Sequence, residues 1–239
     1  MGRRKAMNRA ERRRETIAAT LVAIGLCTGV WLLDHSPQEA LPPQPSPEQA
    51  VRPAERPGAG AERDSVAPLP PAAPVRIRIP EIRVDAAVMP LGLEPDGGLE
   101  VPPQDAENLT GWYEGGVTPG ARGTAIIAGH VDSETGPSVF YGLGALERGN
   151  TVAVDRADGL TAMFEIDAIE VYSREDFPDD RVYGPAEGAE IRLITCGGGY
   201  SSTEGYLGNV VVYGHLTEIA ATPGSGPEGR VETAARRSG

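Results

Sequence analysis

Cysteine and histidine are scarce in this sequence, which holds two cysteines and three histidines among 239 residues. Cys27 lies inside an apolar run, so Cys196 is the one cysteine left for the remainder of the chain. A single cysteine there excludes an intramolecular disulfide framework. No group of cysteine, histidine and carboxylate residues has the spacing of a metal site. We therefore predict neither a metal nor another cofactor.

Positive charge is also scarce, since 22 Lys and Arg stand against 34 Asp and Glu, giving a net charge of −12. This balance argues against nucleic acid as a partner. Residues 1–15 are the exception and carry seven Arg and Lys. The next eighteen residues, 16–33, have no charge and approach the length that spans a bilayer. Because basic residues keep their side of a membrane helix in the cytoplasm, we predict a cytoplasmic N-terminus and an extracellular remainder.

Two other interpretations of the apolar run are open. A cleaved signal peptide would normally be shorter and end in a small-x-small site, which does not follow residue 33. A lipoprotein attached through Cys27 would normally have a small residue before the cysteine, where this chain has Leu26. We favour an uncleaved membrane anchor.

The rest of the chain divides by composition. Residues 34–74 are rich in proline and predict an extended linker, whose reach at roughly 3 Å per residue is on the order of 100 Å. We expect one folded domain over residues 75–220 and a disordered tail over 221–239. Short strand patterns fill the domain, at 75–79, 84–89, 124–128, 151–155, 161–172, 190–195 and 209–215. Residues 106–113 and 139–146 suggest short helices or turns. Many short strands with few helices predict an all-β barrel or sandwich.

Cys196 follows one of these strands and precedes three glycines. We expect the strand to stop there, because glycine lets backbone approach a substrate and leaves N–H groups free for an anion. Such a thiol is a candidate nucleophile, although most single cysteines are small buried hydrophobic residues. By strand alternation, Thr195 faces away from Cys196.

His130 follows the strand 124–128 and is the candidate base. A cysteine requires a base or a cationic neighbour to act as a thiolate, and such a neighbour need not be close in sequence. Asp132 could orient His130 or cap a turn with Ser133. His215 follows the last strand, and we expect it at the surface without a catalytic role.

Three motifs, AIIAGHVDS, LITCGGGY and GNVVVYGHL, resemble the sortases, the membrane-bound cysteine transpeptidases of Gram-positive bacteria. The stretches VRIRIPEIRVDAAV, LEVPP and GWYEGG add to the similarity, which covers about residues 75–220 and is nearest to the actinobacterial class E and F types. The resemblance implies a closed barrel of about eight strands with short helices. It also implies an acyl-thioester on Cys196, formed by cutting an LPXTG or LAXTG sorting signal between Thr and Gly. The acceptor would be an amine of the cell wall or of another protein.

One family residue is missing. Sortases use an arginine near the start of the last strand, which in the most similar subfamilies lies two residues before the asparagine of the NVVV motif, and Leu207 stands at that place. Candidate replacements elsewhere are Arg122, Arg174, Arg181 and Arg192, although the default expectation for each is a solvated surface charge. Other substrate-binding residues are not identified. Two alternatives are a degenerate sortase that binds sorting or wall peptides without cutting them, and an L,D-transpeptidase. The latter places a serine and a Gly-Cys soon after a His-Gly, which this chain lacks.

The charge bias before the apolar run gives a topology prediction. Protease added to cells whose wall has been removed should degrade the folded domain, because everything after residue 33 is predicted to lie outside. Immunoblotting of the domain checks this. Survival of the domain in these wall-free cells, followed by its degradation after detergent lysis, would contradict the predicted orientation.

Overall fold

The structure is a computed structural model that describes residues 41–50 and 66–223. The predicted cytoplasmic segment, the predicted anchor at 16–33 and nearly all of the predicted tail lie outside the described residues. Within the described ranges, none of the helices has the length and apolar character needed to cross a membrane.

Eight strands form a closed barrel, in the order β1-β2-β3-β4-β9-β10-β8-β7. Their bounds are β1 Pro74–Ile79, β2 Val84–Leu91, β3 Leu109–Tyr113, β4 Gly123–Gly129, β7 Thr151–Arg156, β8 Leu160–Ser173, β9 Ala189–Ser201 and β10 Gly205–Ala221. Two short strands, β5 Asp132–Ser133 and β6 Gly136–Pro137, pair outside the barrel. One short α-helix, α1, spans Asp179–Val182, and single 3-10 turns lie at Pro47–Gln49, Pro80–Ile82 and Leu143–Ala145. The predicted all-β barrel with short helices is confirmed.

Alternation along the strands separates an inner core from an outer apolar cluster. Ile127 and Leu193 point into the barrel and are fully buried. Their neighbours Ile126 and Ile194 point outward and pack in a second cluster with Tyr213. The connection between β8 and β9 contributes to this outer cluster through α1, whose Val182 is buried. The barrel wall is therefore covered on both faces next to β9.

Residues 106–113 differ from their predicted helix or turn, because part of this stretch is the barrel strand β3. It pairs in parallel with β2 and antiparallel with β4. Thr110 is fully buried and its hydroxyl donates to the carbonyl of Ala87 at 3.0 Å. Pairing on both sides decides the conformation of this short segment, as tertiary context often does. In residues 139–146, the one helical element is the 3-10 turn Leu143–Ala145.

The expectation that β9 stops at Cys196 is wrong. The strand continues through the glycines to Ser201 and forms a hairpin with β10, whose first residue is Gly205. Gly198 and Gly199 have φ values of 77° and 98°, a region that residues with a Cβ rarely adopt. The three glycines therefore belong to a hairpin that contains a register shift. Cys196 lies on paired strands and not at the start of an open loop.

Parts of the predicted linker contact the barrel. Leu69 packs against the inner core, and its N–H donates to the carbonyl of Gly120 at 2.8 Å. In the segment 42–50, the side chain of Gln49 accepts a hydrogen bond from the N–H of Arg148 at 3.0 Å. Residues 42–50 and 66–73 are thus held against the domain.

Gly208→Ala should lower the free energy of unfolding by about 1–3 kcal/mol, the usual cost of overpacking. A Cβ at this position would overlap the Tyr172 carbonyl oxygen and lie 2.9 Å from its carbon, so β8 and β10 would have to separate. Gly188→Ala is the matched control, because its Cβ would meet no atom within 4 Å. Urea denaturation of both variants measures the difference, and equal midpoints would contradict the expected clash.

Candidate active site

His130, the first residue after β4, lies next to Cys196 on β9 when the register of the two strands is continued. β4 and β9 are parallel, and their register runs from Gly123 beside Ala189 to Ala128 beside Ile194. Continuing by two residues places His130 beside Cys196, across a strand spacing of about 4.8 Å. The hydroxyl of Thr195 supports this register, because it donates to the carbonyl of Gly129 at 2.8 Å. The two predicted site residues are therefore brought together at one end of the barrel.

Both positions belong to the outer face of the barrel. Cys196 has the same strand parity as Ile194, and His130 has the same parity as Ile126, and both isoleucines lie in the outer cluster. Thr195 is 4% exposed and points the other way, as the alternation predicts. The half-buried thiol of Cys196 is thus presented on the outside of the barrel wall.

A backbone carbonyl holds the imidazole of His130. Its Nε2 lies 2.7 Å from the carbonyl oxygen of Pro102, within the LEVPP stretch. Because a carbonyl can only accept, Nε2 carries a proton and donates it, which leaves Nδ1 as the nitrogen that exchanges protons in the neutral ring. The Pro102 carbonyl therefore does what the sequence analysis considered for Asp132.

Asp132 has a different partner, the hydroxyl of Tyr206, which donates to its carboxylate. The nearby turn is held by Ser133, whose hydroxyl accepts the N–H of Thr135 at 3.3 Å. These contacts match neither the orientation of His130 by Asp132 nor a turn capped by Asp132 with Ser133.

Sequence reasoning missed Tyr206, which lies on β10 opposite Tyr200 in the hairpin. Burial and the hydrogen bond to Asp132 raise the pKa of Tyr206, and the charge of the Cys196 thiolate adds to the effect. Asp132, Tyr206 and Cys196 therefore form one electrostatic group. No motif marks the tyrosine, since its place depends on a hairpin that the sequence analysis did not predict.

The thiol of Cys196 is influenced by burial and by two charges. Burial raises its pKa above the ordinary value, the guanidinium of Arg174 lowers it, and the carboxylate of Asp132 raises it further. The thiol form is therefore favoured at neutral pH. Attack on a carbonyl requires removal of this proton, and the adjacent His130 is the candidate base.

Three of the four candidate arginines are engaged elsewhere. Arg192 is buried, pairs with Glu190 at 2.6 Å and lies 4.5 Å from the ring centroid of Tyr213, so the expected surface position is wrong for this residue. Arg122 is held by the carbonyl of Glu187 at 2.7 Å.

Arg181 pairs with Glu170 at 2.9 Å and also lies over Tyr213, at 5.6 Å from the ring centroid. Of the four candidates, Arg174 alone affects the pKa of the Cys196 thiol, which its charge lowers. Leu207, which the sequence analysis aligns with the sortase arginine, is 42% exposed.

The glycine amides are less free than the sequence predicted. Gly197 lies opposite Gly208 in the β9–β10 ladder. The N–H of Gly198 donates to the side-chain oxygen of Gln44 at 3.3 Å. The Gly198 amide is therefore already engaged, and Gly197 is part of the paired strands instead of an open loop.

His215 lies outside this group. Its Nδ1 is 3.0 Å from a carboxylate oxygen of Asp167. In the β9–β10 ladder, His215 lies opposite Glu190, near the end of β9 that is far from Cys196. In the part of the chain that the structure describes, no three histidine, cysteine or carboxylate residues cluster as a metal site would require.

Asp132→Asn should move the titration of the Cys196 thiol to lower pH, because it removes a negative charge that raises the thiol pKa. The rate of alkylation by iodoacetamide across pH 6–10 measures the thiolate fraction. Glu134→Gln is the control, since this exposed carboxylate is not among the groups that shift the thiol. An unchanged or higher midpoint for Asp132→Asn would contradict the assignment.

Comparisons with known proteins identify the family of this chain. Residues 77–217 match the family model described as "Sortase domain". Sortase A from Corynebacterium diphtheriae is 21% identical, with a TM-score of 0.47, over 62% of this chain and 62% of that one. Sortase E1 from Streptomyces coelicolor, solved with a tripeptide in the active site, is 20% identical, with a TM-score of 0.48, over 68% of this chain and 99% of that one. No curated protein shows significant sequence similarity. Because the family model spans more than half of the sequence, the chain belongs to the sortase family.

Proposed function

We propose that this protein is a membrane-anchored cysteine transpeptidase that cuts an LPXTG or LAXTG sorting signal between Thr and Gly. The single observation that carries the proposal is the register that sets His130 beside Cys196 within a sortase domain. Sortases are in general cysteine transpeptidases, and the signal, the anchor and the thioester route are specific to the proposal.

The proposed reaction begins with proton removal from the Cys196 thiol, for which His130 is the base. The sulfur attacks the carbonyl carbon of the signal threonine, and a tetrahedral oxyanion forms. When the oxyanion collapses, the C–N bond to glycine breaks and the histidine protonates the departing amine. An acyl-thioester remains on the cysteine.

The second half of the reaction regenerates the thiol. An amine of a peptidoglycan precursor or of another protein attacks the thioester carbonyl, and His130 takes its proton. The C–S bond then breaks, and the sulfur leaves as thiolate and is reprotonated. The product is an amide that joins the secreted protein to its acceptor.

The proposed location follows from the N-terminal sequence. Seven basic residues in 1–15 precede the uncharged run 16–33, and the proline-rich linker follows. A single-pass anchor of this orientation places the barrel outside a Gram-positive cell membrane, among secreted proteins with sorting signals and the amines of the wall.

A second candidate function is a sortase fold that binds sorting or wall peptides without efficient turnover. The observation in its favour is Leu207, which stands where the family has an arginine. The candidates differ in whether Cys196 becomes acylated.

Incubation with LPXTG and LAXTG peptides should add the mass of the acyl fragment to the wild-type protein. Cys196→Ala should abolish this adduct, whereas Cys27→Ala, the matched control in the other cysteine, should retain it. His130→Ala should slow acylation by about 10²–10⁴-fold, the usual contribution of a general acid–base group. His215→Ala, the histidine control, should match the wild type.

Intact-protein mass spectrometry over time measures all four variants. An adduct that survives in Cys196→Ala would contradict the nucleophile, and a wild-type rate in His130→Ala would contradict the base. Peptide binding without any adduct on the wild type would favour the binding-only function.

A further inference from the structure

We propose that Arg174, the first residue after β8, is the arginine that binds the oxyanion at Cys196 in this chain. This inference rests on the proposed acyl transfer. It assigns to a neighbouring strand the task that Leu207, on β10, cannot perform.

The strand register places Arg174 next to the missing position. β8, β10 and β9 are neighbours, and Tyr172, Asn209 and Cys196 lie side by side across them. The N–H of Arg174 donates to the carbonyl of Leu207 at 3.2 Å, which extends the β8–β10 ladder by one residue. Arg174 is therefore the direct cross-strand neighbour of Leu207.

Strand alternation places Arg174 on the face of the nucleophile. Tyr172 packs in the outer cluster, on the same side of the barrel wall as Ile194 and Cys196. Arg174 is two residues after Tyr172, so it returns to that face. Two strand spacings of about 4.8 Å and two residues of about 3.3 Å separate the Cα positions of Arg174 and Cys196 by roughly 12 Å. An arginine side chain covers much of this distance. The positive charge of Arg174 lowers the pKa of the Cys196 thiol, which is consistent with this proximity.

Arg174 is also available. Its side chain is exposed, and within the described ranges its guanidinium has neither a hydrogen bond nor an ion pair. Arg181 and Arg192, by contrast, are paired with carboxylates. Arg122 lies at the opposite end of β4 from His130, eight residues or about 25 Å away along the strand direction.

The chemistry of the step favours a guanidinium at this place. The oxyanion forms on the carbonyl oxygen as the sulfur attacks, and fixed donors aimed at that oxygen lower the barrier. A guanidinium is always charged and presents several N–H donors in a plane, which suits an oxyanion and the substrate backbone beside it. The Gly198 amide, one of the backbone donors near the sulfur, is already bound to Gln44.

Single-turnover acylation of Cys196 by a sorting peptide tests the assignment. Arg174→Ala should slow acylation by about 10²–10³-fold, as loss of one good oxyanion donor does. Arg174→Lys should recover part of the rate, since it keeps the charge and loses the planar donors. Arg122→Ala removes an exposed arginine far from the thiol. Its acylation rate should remain within about twofold of the wild type, because the loss of a distant surface charge usually has little effect.

A transplanted arginine tests whether position or mere charge matters. Leu207→Arg added to Arg174→Ala should restore at least about tenfold in the acylation rate, because it returns a guanidinium to the adjacent strand. Leu207→Arg alone should change the wild-type rate by less than this. A wild-type rate in Arg174→Ala, or a large gain from Leu207→Arg with Arg174 intact, would overturn the proposal.

A second readout needs no sorting peptide. Arg174→Ala should shift iodoacetamide alkylation of Cys196 to higher pH, because the guanidinium lowers the thiol pKa. An unshifted titration would show that Arg174 does not face the thiol and would overturn the assignment. If the titration shifts but no sorting peptide acylates the wild type, the proposed acyl transfer fails while the placement of Arg174 beside Cys196 stands.

Discussion

The parallel pairing of β4 with β9 is the constraint on which the site depends. The register aligns the two strands residue by residue, so the side chains that follow their paired stretch, His130 and Cys196, come to one edge on one face. The hydrogen bond from Thr195 to Gly129 secures the last step of this alignment from the opposite face. A slip of one residue would send either group into the barrel core, because strand side chains alternate. The chemistry is thus positioned by main-chain pairing, and the Pro102 carbonyl orients the imidazole within it.

The β9–β10 hairpin is the second constraint, and it explains the three glycines better than an open loop does. Gly208 lies so close to the Tyr172 backbone that a side chain there has no room, while Gly198 and Gly199 adopt positive φ. These backbone features bring Tyr206 to Asp132 and seat β8 against β10 with Arg174 beside Leu207. The hairpin therefore determines which charges reach the thiol.

Much of the fold could be predicted from local pattern, because seven of the eight barrel strands carry long runs of alternating or apolar residues. β3 could not, since its conformation comes from the two strands that flank it. The pair of Cys196 and His130 was predicted from residue chemistry at strand ends. Tyr206 and the Pro102 carbonyl were not, because a tyrosine and a backbone oxygen carry no sequence pattern that marks them. The burial of the candidate Arg192 was not predicted for a related reason, since it depends on Glu190 and Tyr213 together.

The proposed relocation of the oxyanion-binding arginine from β10 to the end of β8 is consistent with how oxyanions are stabilised. Oxyanion stabilisation depends on where the donors lie relative to the oxygen, and it does not depend on which strand carries them. Moving the Cα of the arginine by one strand adds about 4.8 Å to its distance from the thiol. A long side chain can span this distance, although it is then less restricted in conformation. An apolar neighbour reduces that freedom, because the methylenes of arginine pack along apolar surface while the charged end stays in solvent. Leu207 is such a neighbour, exposed and joined to Arg174 through the backbone. In the proposed arrangement, the leucine that takes the place of the arginine in the sequence offers apolar surface to the methylenes of Arg174 on the next strand.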